Sequence, residues 1–275
     1  MRLMVLADAV LIGLVCVGGC GRLVLGPVAT PPTTCSAPTE GGWDWSECLH
    51  ANIREGRVHY ARLSAHPETL DRVLTRLAVG DEPDDNGPHL AAELINAYNA
   101  FAMRAGLERY RAAGGDPNRA RAPGEDEFRF RLHRREVTLV DIRHRLLCGK
   151  TPDVRILLAL CPAREGTPLH DQPFEPATLD KQLSAVSAAA MQNPDVVQID
   201  HENKSLRLAN MIGREQPLLV GWYRRRTGAG RAVLLNALLD LADDAGRDLL
   251  NTAIGYRVVV RPPQRRLNVY VPAGP

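Results

Sequence analysis

Lysine is almost missing from this 275-residue chain: Lys150, Lys181 and Lys204 are the only three among 34 basic residues. An arginine bias of this kind reflects genome composition more often than function. A surplus of either charge is missing too. Lys+Arg is 34 and Asp+Glu is 32, a net charge of +2. That balance excludes the large basic field expected of a nucleic-acid-binding protein. Metal-site spacing is also lacking. There is no C-x-x-C and no H-E-x-x-H, and no two of the eight histidines lie three or four residues apart, so no metal or cofactor is expected. No Gly-rich phosphate loop occurs; Gly114-Gly115 precedes Asp116-Pro117 and reads as a turn. Finally, no apolar run is long enough to cross a membrane. The longest candidate, residues 9–17, is too short to span ~30 Å of hydrocarbon as a helix. What is present is an ordinary globular mix, 45% hydrophobic and 24% charged, which argues against wholesale disorder.

The first twenty residues read as an address. Arg2 gives a short positive start, residues 9–17 are uncharged and mostly apolar, and Val17-Gly18-Gly19-Cys20 resembles a bacterial lipobox. In that motif the cysteine thiol receives a diacylglyceryl group, and further acylation of the new N-terminus gives a stable anchor. Residues 1–20 are therefore expected to be a signal peptide with Cys20 as the lipidation site. Residues 21–48 are a flexible Pro/Thr-rich tether, and 49–275 are expected to form one globular domain. This organisation predicts an exported, membrane-anchored lipoprotein of a bacterial cell envelope. Among the other cysteines, Cys35 and Cys48 flank Trp43 and Trp45. In an oxidising envelope they would form a disulfide contributing ~3 kcal/mol in the chain-entropy account; otherwise they are two thiols in a mobile arm.

Along the domain, Pro67 marks a helix start, with Leu70, Val73, Leu74 and Leu77 at helical spacing. Residues 89–113 form a long amphipathic helix with Leu90, Leu94, Ala97, Phe101 and Ala105 on one stripe. Asn96 and Asn99 sit inside it, one turn apart and beside Tyr98. Asparagine is a poor interior helix former because its amide competes for backbone hydrogen bonds. The pair therefore signals either a buried polar network that fixes a neighbouring loop or two solvent-facing amides. Residues 128–132 alternate as a strand, a turn at 133–135 leads to a second strand at 137–139, and a short helix carrying His144 follows. Residues 153–161 read as a buried strand, 175–193 as a helix, and 196–209 as a hairpin. Residues 231–250 read as one apolar-rich helix, and residues 256–260 and 267–271 as a terminal strand pair. The fold class is α+β, with helices packed on a small, mainly antiparallel sheet.

Four blocks, residues 58–78, 93–101, 138–161 and 255–268, together resemble the bacterial and plant domain-of-unknown-function family 547. ELINAYNAF is similar to the family's F-W-I-N-x-Y-N-A. TLVDIRHRLLCGKTPDVRILLALC is similar to L-x-D-I-E-H-x-I-L followed by D-P-R-I-H-F-A-L. The resemblance implies a distant papain-like or transglutaminase-like core, in which a cysteine is activated by a histidine. It carries Asn96, Tyr98, Asn99, Asp141, His144 and Arg155 over as matched polar positions. Cys161 stands for the first cysteine of the family's Cys-rich loop, which ends in S-C-P-P-L, and is otherwise a buried free thiol or a partner of Cys148. The departures are Arg143 for a glutamate, Leu157 for a histidine, Thr167 for the second cysteine and Leu94 for a tryptophan. A leucine can pack but cannot move a proton. The expectation is therefore a non-catalytic envelope domain that binds a peptide, glycan or protein, held at the membrane by its N-terminal lipid. The alternative is a thiol hydrolase or acyltransferase working through Cys161 and His144.

Overall fold

Twenty-five residues from Pro88 to Ala112 form the longest helix, and every residue from 94 to 107 within it is buried. Proline opens it at a position where the missing N–H costs nothing. Ala97, Ala100, Ala102, Ala105 and Gly106 keep its sides thin, so neighbours close on it all round. The expected amphipathic stripe is therefore only part of the buried surface: this is a central helix, not a surface one.

The computed structural model describes residues 23–24, 44–83, 87–147 and 153–272. In chain order they form β1 (Leu23–Val24), α1 (Asp44–Asn52), β2 (Ile53–Arg54), β3 (Arg57–Val58), α2 (Tyr60–Ala65), α3 (Glu68–Val79), α4 (Pro88–Ala112), β4 (Phe128–Leu132), β5 (Arg135–Val137), α5 (Leu139–Leu147) and α6 (Ile156–Ala159). After a 3-10 turn (Pro176–Thr178) come α7 (Leu179–Gln192), β6 (Val197–Asp200), β7 (Ser205–Leu208), α8 (Asn210–Arg214), α9 (Gln216–Thr227), α10 (Leu234–Leu241), α11 (Asp244–Asn251) and β8 (Arg257–Val260). The chain is α+β, with its strands divided among three small sheets, β1-β4-β5, β2-β3 and β6-β7-β8.

Two hydrophobic cores result. The first surrounds α4 and takes in Trp45, Tyr60, Leu70, Phe101, Phe130, Leu139 and Leu183. The second lies between the β6-β7-β8 sheet and α8 to α11, with Leu206, Leu208, Leu238 and Leu250 at its centre. Leu158 and Leu218 pack against both. The β4–β5 hairpin is closed by His133 (φ 48°) and Arg134 (φ 63°). Two consecutive left-handed residues make the turn that suits the strand twist. The hairpin lays Phe130 on Phe101, with ring centroids 4.5 Å apart. Its turn amides, His133 N and Arg134 N, donate to Leu77 O and Ala78 O at the end of α3.

Several expectations change. Residues 153–161 hold a turn and the four-residue α6 rather than a strand; a short apolar run carries no periodicity that separates the two. The segment read as one helix at 231–250 is two, α10 and α11, because Asp243 accepts from Gly246 N and starts a new helix. Residues 256–260 and 267–271 do not pair with each other. β8 lies parallel to β7, and the intervening Pro262-Pro263 offers no N–H to a returning strand. The last segment instead reaches β3, through Val58 N to Asn268 O and Tyr270 N to Val58 O. Helix α1 starts at Asp44, five residues before the expected domain boundary, and its Trp45 and Cys48 are core residues. Cys48 is a free, buried thiol, pushed up to about 12 mainly by burial. Cys35, expected as its partner, lies outside the described residues, as do Cys16, Cys20 and Cys148.

Gly106 is the tightest point of the first core. A Cβ there would lie 2.1 Å from the Tyr60 hydroxyl oxygen, and Tyr60 is itself fully buried. Gly106→Ala is expected to lower stability by ~1–3 kcal/mol through overpacking, although alanine is the better helix former. Urea unfolding should show a lower midpoint; an unchanged or raised midpoint would mean Tyr60 swings aside freely.

Candidate functional site: a cleft between the two cores

Where the cores meet there is an open cleft of about 770 Å³. Tyr98 of α4, Glu125, Arg143 of α5, and Leu157 of α6 line it from the first core. Asp195, Met211, Arg214 and Arg261 line it from the second, and the 160–167 loop runs along it. Seams between packed units are common places for ligand sites.

The loop is held by the two mid-helix asparagines. Asn99 Nδ2 donates to Ala159 O (3.0 Å) and Asn99 Oδ1 accepts from Cys161 N (2.9 Å). One turn earlier, Asn96 Nδ2 donates to Phe174 O (2.8 Å) and Asn96 Oδ1 accepts from Phe174 N (2.9 Å). Each amide copies the pairing of a β-ladder, with both polar atoms satisfied by one piece of main chain. Both side chains are buried, where an unmet polar atom would cost ~1–3 kcal/mol. These residues therefore fix both ends of the 159–174 connection. Within it, Thr167 N and Oγ1 donate to Arg164 O, and Asn268 Nδ2 donates to Thr167 O (3.1 Å).

The cleft carries a chain of charges. Tyr98 Oη donates to Glu125 Oε1 (2.5 Å). Glu125 also faces Arg143 Nε (3.4 Å) and Arg214 (3.6 Å). Arg143 in turn donates to Glu215 (2.7 Å). Burial, and then the Glu125 carboxylate, push the Tyr98 phenol well above its usual range, so it remains a hydrogen-bond donor. Arg143 is placed by α5, which starts with a reciprocal cap. Thr138 N and Oγ1 donate to Asp141 Oδ2, while Asp141 N donates to Thr138 Oγ1. Asp141 thus sets the entry of the helix that carries Arg143.

Cys161 and His144 are not among the residues lining the cleft, and no hydrogen bond joins them. Cys161 is 2% exposed, and its sulfur donates to Thr167 O (2.9 Å). Burial raises its pKa, which favours the unreactive thiol. His144 is exposed on α5. Arg155 lies apart, bound to Asp153 and Asp180 and donating to Ser184 Oγ; it ties the start of α6 to α7. Three arginines away from the cleft have carboxylate partners, Arg129 with Glu136, Arg134 with Asp81 and Arg226 with Asp240. Among the described residues no three His, Cys, Asp or Glu side chains gather as a metal site, and no helix is long and apolar enough to cross a membrane. Glu125, Arg164, Arg214 and Arg261 belong to the cleft without having stood out in the sequence. Glu125 sits in a polar Gly/Pro loop, and the arginines are ordinary members of an arginine-rich chain.

The fold and cleft define an α+β domain whose activity no motif declares. Residues 88–189 match the profile of a family described as "Protein of unknown function, DUF547". The match runs from the start of α4 into α7, so it covers Asn96, Tyr98, Asn99, Glu125, Asp141, Arg143, Leu157, Cys161 and Thr167. The remaining cleft wall, Asp195, Met211, Arg214 and Arg261, comes from beyond it. No curated protein and no solved structure matches the chain.

Asn99→Ala would leave Ala159 O and Cys161 N without partners in a buried setting. It is expected to cost ~2–4 kcal/mol, and hydrogen exchange should show the amides of 159–167 losing protection before those of α10. Equal loss everywhere would mean the asparagine supports the whole domain and not this loop.

Proposed function

We propose that this chain is an exported, lipid-anchored domain of a bacterial cell envelope that binds a ligand in the cleft without transforming it. One observation carries the binding half. The positions matching the family's glutamate, histidine and second cysteine are Arg143, Leu157 and Thr167, and all three line the cleft. At the same time the one candidate nucleophile, Cys161, is buried outside it and protonated. A cleft whose wall presents guanidinium, carboxylate, hydroxyl and aliphatic groups, and neither cysteine nor histidine, can hold a ligand but offers no thiolate–imidazole couple. A peptide, glycan or protein of the envelope is the expected partner class. The cellular half rests on residues 1–20 and their lipobox, with Cys20 as the lipid-bearing residue; more than one acyl chain would hold the domain at a membrane.

Peptide-resolved mass spectrometry with a thiol-directed electrophile tests the first half. The native protein should leave Cys161 and Cys48 unmodified at neutral pH and react at both only after denaturant is added. Labelling of native Cys161 at a pH well below that of an ordinary thiol would restore the thiol-enzyme reading. Fractionation tests the second half. Cys20→Ser should move the protein from the membrane to the soluble fraction, and unchanged membrane association would sink the anchor.

A further inference from the structure

We propose that Arg164 and Arg261 form a receptor for a single oxyanion group, carboxylate or phosphate, on the molecule that occupies the cleft. This rests on the binding role proposed above and names the chemistry recognised there. Four arginines line the cleft. Two of them are neutralised: Arg143 by Glu125 and Glu215, and Arg214 by the same two carboxylates. Arg164 and Arg261 differ. Among the described residues neither forms an ion pair with a carboxylate. Each is tethered instead by one terminal nitrogen to a main-chain carbonyl, Arg164 to Pro123 O (3.3 Å) and Arg261 to Asp195 O. The Nε–H of each is buried and has no partner.

Such tethers fix a guanidinium plane while leaving donors unspent. An arginine fork is matched in shape by an oxyanion, which takes two parallel N–H bonds. The terminal nitrogens not spent on those tethers are the donors an oxyanion would meet, and little side-chain ordering remains to be done on binding. Glu165 and Asp195 also line the cleft. Their charges oppose a polyanion and restrict the site to one anionic group. The surrounding wall of Leu160, Pro162, Met211, Pro262 and Pro263 is apolar, so the rest of the ligand is neutral or apolar near its charged end.

The test uses arginine side-chain Nε–Hε resonances of the full-length protein, connected through each side chain to backbone assignments. Inorganic phosphate and sodium acetate are titrated against sodium chloride at matched ionic strength. Saturable shifts at Arg164 and Arg261 are expected with at least one of the two probes. A response to acetate alone identifies a carboxylate receptor, and one to phosphate alone a phosphate receptor. Arg164→Lys and Arg261→Lys should each weaken the probe roughly tenfold, the worth of one charge-assisted hydrogen bond. If a lysine variant fails to fold, the wild-type shifts decide. Shifts absent at both residues, identical with chloride, or of unchanged affinity in both variants overturn the proposal. Failure here with Cys161 still unreactive removes the oxyanion receptor alone, whereas a reactive Cys161 removes the binding role on which it stands.

Discussion

Everything near the cleft depends on two side-chain amides buried in one helix. Asn96 and Asn99 lie a turn apart on α4 and pair with main chain at Phe174 and at Ala159–Cys161. A loop has backbone polar groups that a hydrophobic core cannot satisfy. An asparagine presents a donor and an acceptor in nearly the geometry of a peptide, so it can close that account from inside a helix. Helix position then becomes loop position: α4 is buried throughout residues 94–107, and the 159–174 connection takes its place from it. The family-like polar positions are thus largely architectural. Asp141 starts α5 and Arg155 ties α6 to α7, and the asparagines hold the loop. None of them has to touch a ligand to matter.

The cleft lining includes neither cysteine nor histidine. A pocket built for proton transfer needs groups titrating near the working pH. Here the polar wall holds four arginines, which stay charged, a tyrosine kept protonated by its surroundings, and the carboxylates of Glu125, Glu165 and Asp195. Glu125 sits among Tyr98, Arg143 and Arg214. Its charge serves to orient two guanidinium groups.

The sequence made the long helix legible because 25 residues without a breaker have few alternatives, and it made the asparagines legible because amides are costly there. The α+β class and the hairpin at 197–208 were readable for the same kind of local reason: alternation flanked by turn residues. What was hidden is non-local. Nothing in residues 153–161 distinguishes strand from helix until Asn99 and Leu158 take their partners. Nor does RPPQR announce that it separates a strand of one core from a segment that belongs to the other. Glu125 and Arg261 are far apart in the chain and are joined only by the seam between the cores, which no spacing encodes. Cys161 drew attention as a nucleophile, but burial, a property of the whole fold, decides its state.

The closing stretch of the chain binds to strands and loops made long before it. Its residues 265–270 meet Ala120 and Ala122, Ala163 and Glu165, and Val58 through main-chain hydrogen bonds. A polypeptide growing from its amino end can gather its helices early, yet it cannot fasten these three separate regions until residues 265–270 have been made. Completion of the first core thereby waits for residues 265–270, and a ribosome halted before them would hold a collapsed but unsealed protein.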